Sequence, residues 1–322
     1  MFKLFTYKDI STYRSELMGW AILWIMMLHF TFTQIKPFGF IAQYGFAGVE
    51  IFMLVSGLGL YFSLDKDSHL SHFYKKRLLR IFPTYYILGI FASLLLYHDD
   101  IITYLFRYTT IGFWTGSDYN EWYIPSIVFL YLLAPFLKKL YDKKLFIIIV
   151  LLCCICFLIS YILIANNCIT KGEPHFFLLY RFPAFLFGMA CAYWIKNSIP
   201  EKYYYYILIA GIPFFILLFP CHHEIYNFKY FSLIFLLPLF IICFTCISKV
   251  ITPINPLISS IGKASLEIYI IQGIFFHAIL TQLIIFPAEF HDVISILLLI
   301  ISSILGITFH WLIEKTGITR LF

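Results

Sequence analysis

Apolar residues in this chain fall in runs of about twenty, and the segments between them are short and rich in Lys and Arg. A helix crossing the hydrocarbon core of a bilayer needs about 20 mostly apolar residues. Ten stretches meet that need: 17–35, 40–63, 79–97, 122–140, 144–164, 176–195, 203–220, 229–249, 264–286 and 291–313. The pattern predicts an all-α, polytopic transmembrane bundle of about ten spanning helices.

The intervening charges give the bundle a direction, because short cytoplasmic loops carry most Lys and Arg. With the N-terminus inside, 18 of the 23 basic residues fall on the cytoplasmic side. They are Lys3, Lys8 and Arg14; Lys66, Lys75, Lys76, Arg77 and Arg80; Lys138, Lys139, Lys143 and Lys144; Lys196 and Lys202; Lys249 and Lys263; Lys315 and Arg320. Lys36, Arg107, Lys171, Arg181 and Lys229 fall outside. A missed or extra helix in mid-chain would scramble this segregation, so both termini are expected in the cytoplasm.

Composition agrees with membrane residence. The 322 residues are 61% hydrophobic and 12% charged, about half the charged fraction of a soluble domain. The net charge of +6 follows from the loop bias and implies no nucleic-acid partner. The first apolar run is a full span without a small-residue cleavage pattern, so no signal peptide is expected. No repeat or long linker divides the chain, which reads as a single integral membrane domain, 1–322, without a soluble catalytic domain. The longest polar interruption, 98–121, lies outside and is aromatic-rich.

Of the eight cysteines, Cys153, Cys154, Cys156, Cys191, Cys243 and Cys246 lie within the runs and read as small apolar residues. Cys168 and Cys221 stand near outer loops, where pairing is open to them. His222, His223 and Glu224 form an outer-loop cluster without a third-ligand partner elsewhere, and no metal is expected.

Chemistry must then come from polar residues inside the bundle, where a charged side chain costs about 2.5–3.5 kcal/mol on insertion scales. His29 and Glu50 each lie about 12 residues, or about 18 Å, above the inner end of the first and second spans. Consecutive helices on a short loop usually pack together, which would let the two meet. A carboxylate that accepts one imidazole proton makes the other nitrogen a better base, as transfer to a hydroxyl requires. A His and a Glu that merely satisfy each other in the core are the structural alternative. Arg77 and Arg80 share a face at the inner mouth of the third span and offer forked donors suited to phosphate. Before any resemblance is considered, ordinary positive-inside anchoring is the preferred reading of them. Arg181, Glu267, Gln272 and Glu314 are the other polar positions, each readable as glue between helices.

These residues resemble, in order and content, the membrane-bound acyltransferase-3 family of envelope carbohydrate O-acyltransferases, from about Arg14 to Glu314. His29 matches the family's first-span His, with Met18 where a basic residue is usual and Arg14 one turn earlier. GFAGVEIFMLVSGLGLYF is similar to the family's second-span pattern, with Glu50 for the usual Asp. FYKKRLLRIFPTYY supplies the paired arginines, EWYIPSIVFLYLLAP supplies Trp122, Tyr131 and Pro135, and RFPAFLFGMACA supplies Arg181. IGKASLEIYIIQG carries Gln272 where a His often stands.

The resemblance implies transfer of an acyl group, acetyl in the first place, from cytoplasmic acetyl-coenzyme A to a hydroxyl of a cell-envelope or extracellular carbohydrate. His29 and Glu50 would be catalytic. Arg14, Arg77 and Arg80 would hold the coenzyme, and Trp122, Tyr131 and Arg181 the acceptor, a glycan or lipid-linked sugar. Direct attack and an acyl-His29 intermediate both remain open. The implied location is the cytoplasmic membrane of a bacterium. A transporter or flippase for an envelope glycan or lipid, with His29 and Glu50 relaying protons, is the rival; no inverted repeat speaks for it.

Overall fold

The computed structural model describes residues 5–30, 36–67, 69–115, 122–165, 175–219, 231–280 and 290–317, and all regular structure among them is helical. In chain order the helices are α1 (Tyr7–Thr12), α2 (Arg14–His29), α3 (Lys36–Ala42), α4 (Ala47–Lys66), α5 (Leu70–Ala92), α6 (Ile101–Tyr108), α7 (Ile111–Trp114) and α8 (Tyr123–Asp142). They continue with α9 (Phe146–Ala165), α10 (His175–Lys196), α11 (Lys202–Leu218), α12 (Leu237–Val250), α13 (Asn255–Lys263), α14 (Ser265–Leu280) and α15 (His291–Thr316). A π-turn at Ser93–Tyr97 extends α5, and a 3-10 turn at Leu233–Leu236 leads into α12.

Among the described residues, seven helices are long and apolar enough to cross a membrane, in the second to sixth, eighth and tenth expected runs. The first, seventh and ninth runs contain α2, α11 and α14, of 16, 17 and 16 residues. Each of these leads into residues outside the described set. Pro83, Pro135, Pro183 and Pro213 stand inside α5, α8, α10 and α11, which membrane helices tolerate because neighbours re-satisfy the freed carbonyls. Cys168, Cys221 and the His222–Glu224 cluster lie outside the described residues.

The chain forms two compact units interleaved along the sequence. The first comprises 1–14, 50–74 and 113–250; the second comprises 15–49, 75–112 and 251–322.

In the first unit, α4 and α10 approach until backbone meets backbone. A Cβ on Gly188 would stand 1.9 Å from the Leu54 carbonyl oxygen, and one on Gly57 would stand 2.1 Å from that of Phe185. Small residues are the usual means of such contact where lipid gives no hydrophobic drive between helices. The C-terminal ends of α4, α8 and α10 are joined by ion pairs. Lys196 reaches Asp65 at 2.5 Å, and Lys138 reaches Asp65 at 3.3 Å and Asp142 at 2.6 Å. Tyr61 donates to Asp142 at 2.9 Å. The N-terminal segment joins this end: Tyr7 donates to the Pro200 carbonyl, and Asp9 pairs with Lys249. The basic segments around Lys66, Lys138 and Lys196 thus lie beside one another at this end of the unit.

In the second unit, α2 packs on α13 through Gly19 and Gly262. A Cβ on Gly262 would stand 1.8 Å from the Ser15 carbonyl oxygen. Gly306 of α15 lies against Ile268 of α14 in the same manner, and Ser295 donates to the Phe30 carbonyl at 2.6 Å. Arg80 donates to the Lys263 carbonyl at 2.7 Å, joining two more basic segments.

Gly188→Val should cost at least the roughly 1–3 kcal/mol typical of over-packing, since the obstacle is backbone. A Cβ on Gly273 meets nothing within 4 Å, so Gly273→Ala should hold or gain up to about 1 kcal/mol of helix propensity. Thermal unfolding of the detergent-solubilised variants checks the contrast.

Candidate active site

His29 ends α2 and is half-buried in the second unit. Its Nδ1 lies 2.5 Å from Gln272 Oε1 on α14. The amide cannot turn freely, because Gln272 Nε2 donates to the Tyr269 carbonyl one turn back at 3.1 Å. An amide oxygen only accepts, so His29 Nδ1 is the donor in this contact, and in the neutral ring Nε2 keeps its lone pair. Phe276, one turn along α14 from Gln272, stacks on the imidazole at 4.8 Å between ring centroids. One helix therefore fixes both the tautomer and the plane of the ring.

Five residues back along α14, about 7.5 Å by helical rise, lies a second polar cluster. Glu267 is fully buried and accepts from Thr84 Oγ1 at 3.4 Å. His310 of α15 places Nδ1 3.2 Å from Glu267 Oε1 and 3.4 Å from Arg80 Nη1. That nitrogen faces an acceptor and a donor together, so the tautomer of the ring decides which partner it bonds. Its Nε2 lies 3.5 Å from Glu314, four residues on along α15. A polar column thus follows α14 from the Lys263 corner, held by Arg80, through His310 and Glu267 to Gln272 and His29. Arg77, one turn before Arg80 on the same face, is half-buried.

The first unit holds a different arrangement. Glu50 of α4 and Arg181 of α10 are 1% and 4% exposed, with Arg181 Nε 3.3 Å from Glu50 Oε1. The guanidinium stands 4.6 Å from the Trp122 ring centroid and is flanked by Tyr180 and Phe177. Attraction between cation and ring face offsets part of the desolvation. Among the described residues, both Glu50 oxygens, and Nε and Nη1 of Arg181, have no hydrogen-bond partner. Buried polar atoms are rarely left so, and the exceptions call for a functional explanation. Tyr131 lies half-buried on α8, and Arg14 packs its guanidinium against Gly59 of α4.

The sequence suggested Glu50 as the group orienting His29. The recorded partners are instead Gln272 for His29 and Arg181 for Glu50, each within its own unit. Gln272, which stands where the family often has a His, supplies the acceptor. His310 was missed by sequence reasoning. Its signal was a His and a Glu four apart, His310 and Glu314, in an otherwise apolar helix.

A family model described as an acyltransferase domain, acyltransferase 3, matches residues 17–315. The chain belongs to the acyltransferase-3 family. A protein of Acidianus two-tailed virus named "Putative acetyltransferase ORF330" is 28% identical over 180 residues, which cover 53% of this chain and 52% of the viral protein. The chain thus spans about half the length of the curated relative it matches. No solved structure matches. With seven helices able to span, this acyltransferase-3 chain is an integral membrane protein.

In this acyltransferase-3 protein, Arg181→Met strands the Glu50 carboxylate and should cost about 3–5 kcal/mol, the usual result of removing one partner of a buried ion pair. Glu50→Met combined with Arg181→Met should recover most of that loss. Unfolding midpoints of the single and double variants in one detergent check it; equal losses in both would contradict the pairing.

Proposed function

We propose that the protein is a membrane-embedded O-acyltransferase that moves an acyl group, acetyl in the first place, from cytoplasmic acyl-coenzyme A to a hydroxyl of a cell-envelope or extracellular carbohydrate. The observation that carries this reading is the contact of His29 Nδ1 with the Gln272 oxygen, which turns Nε2 of the neutral ring into the proton acceptor beside a polar column ending at Arg80. Family membership and the name of the viral relative support acyl, and specifically acetyl, transfer.

In the proposed step, His29 Nε2 takes the proton of the acceptor hydroxyl as its oxygen attacks the thioester carbonyl. The carbon–sulfur bond breaks, the sulfur leaves as the coenzyme thiol with the proton from His29, and an ester forms. An acyl-His29 intermediate uses the same nitrogen as nucleophile. Arg77 and Arg80, with Arg14, are assigned to the coenzyme phosphates, for which forked donors are suited. Arg181, Trp122 and Tyr131 are assigned to the acceptor. The unpartnered atoms of Arg181 and Glu50 could take up sugar hydroxyls, and the Trp122 face suits a sugar ring. The ten-span topology with cytoplasmic termini, in a bacterial cytoplasmic membrane, belongs to this proposal.

Transfer of labelled acetyl from acetyl-coenzyme A, followed with the purified, reconstituted protein and an envelope glycan extract, tests it. His29→Ala should lower turnover by about 10²–10⁴, the range for a lost general base, while Arg80→Ala should raise the KM for the coenzyme. Glycan movement across the vesicle membrane without any coenzyme requirement would support transport instead.

A further inference from the structure

Protein interiors are close-packed, yet the first unit contains a cavity of about 620 Å³, within the roughly 300–1,000 Å³ range of ligand pockets. Its walls are α9 and α11, and its floor is α10 with the start of α12. The space exists because the floor and one wall carry small or ring-closed residues where larger ones would fill it: Ala184, Ala190, Pro183, Ala210 and Pro238. Among the described residues, none of those lining it is charged.

The cavity has the form of a slot. On α9 the lining runs from Phe146 to Phe157 and on α11 from Tyr203 to Phe214, eleven helical steps or about 16 Å on each wall. That is half of a ~30 Å hydrocarbon core, the depth of one leaflet. Aromatic rings shut one end: Phe235 meets Phe157 at 5.2 Å and stacks on Phe214 at 5.3 Å, with Phe231 behind. The long side is open, since Val150 on one wall and Ile207 on the other are both well exposed.

The other end differs in chemistry. Tyr193, Trp194 and Tyr203 line it, aromatic residues with a polar tip of the kind that sits at headgroup level, beside Tyr141, whose buried hydroxyl donates to the Leu186 carbonyl. Just beyond lie the exposed Lys143 and Lys144 before α9 and Lys202 at the start of α11. The nearby acids are Asp142, held by Lys138 and Tyr61, and Glu201, so positive charge is in excess there.

We propose that this slot is a binding site for one acyl chain of an anionic phospholipid, with the chain between α9 and α11 and the headgroup phosphate at Lys143, Lys144 and Lys202. The single-leaflet depth favours a phospholipid chain over a longer polyprenyl chain, and the lysines favour an anionic headgroup. The site is independent of the acyl-transfer reading, since none of its residues belongs to the polar column or the Glu50–Arg181 pair.

The test uses the full-length protein in phosphatidylcholine vesicles containing a trace of phosphatidylglycerol or phosphatidylcholine with a photoactivatable diazirine on one chain. Labelled peptides are mapped by mass spectrometry. The expected result is preferential labelling of slot-lining peptides by the phosphatidylglycerol probe, displaced by excess unlabelled phosphatidylglycerol and not by phosphatidylcholine. Ala190→Trp or Ala210→Phe should remove the slot labelling, while labelling of the bilayer-facing Ile301 and Ile304 of α15 persists in the same sample as a check on folding. Each of Lys143→Gln, Lys144→Gln and Lys202→Gln should weaken the anionic preference about fivefold. Slot labelling no greater than that of α15, equal for both probes, or unaffected by filling both alanines would overturn the site. Stronger displacement by a polyprenyl phosphate would overturn the phospholipid assignment.

Discussion

The bond from His29 Nδ1 to the Gln272 oxygen is the interaction on which the proposed chemistry rests. A lone imidazole in an apolar bundle can carry its proton on either nitrogen, and only one choice leaves a base facing away from α14. Gln272 makes that choice with a neutral amide whose own orientation is tied to the Tyr269 carbonyl. An amide orients the ring without adding charge. It therefore avoids the desolvation of a carboxylate at that depth and stabilises the imidazolium formed during reaction less than a carboxylate would.

Both units place ionisable groups in apolar surroundings and secure them through close helix contacts. In the second unit Gly19, Gly262 and Gly306 bring α2, α13, α14 and α15 within backbone reach, and the column from Arg80 to His29 runs along the helix they enclose. In the first, Gly57 and Gly188 draw α4 against α10, the two helices that carry Glu50 and Arg181. Rotation of either helix by one residue, about 100°, would part Glu50 from Arg181. Packing of residues without side chains is thus what holds the charged ones in register.

Much of this was legible in the sequence. Run length located the seven helices long enough to span, and loop charge put the segments of Lys66, Lys138 and Lys196 on one face, where Asp65 joins Lys138 and Lys196. His29, Glu50, Arg181, Glu267 and Gln272 stood out because polarity inside an apolar run is costly. Their pairing was not legible. His29 and Gln272 are 243 residues apart, and helical rise gives a residue's height along its own helix, not the neighbour it faces. Equal depth on consecutive helices suggested Glu50 for His29, whereas the partner recorded for it stands on α14. His310 escaped notice because one His near a helix end resembles an interfacial residue until Arg80 and Glu267 are seen around it.

The most direct measurement is nitrogen NMR of His29 in protein labelled with ¹⁵N-histidine, the signal being assigned by its loss in His29→Asn. Nδ1 should report a bound proton and Nε2 a free lone pair at neutral pH, and Gln272→Leu should abolish that preference. A proton on Nε2 in the wild-type protein, or a tautomer indifferent to Gln272, would contradict the orientation on which the proposed base depends.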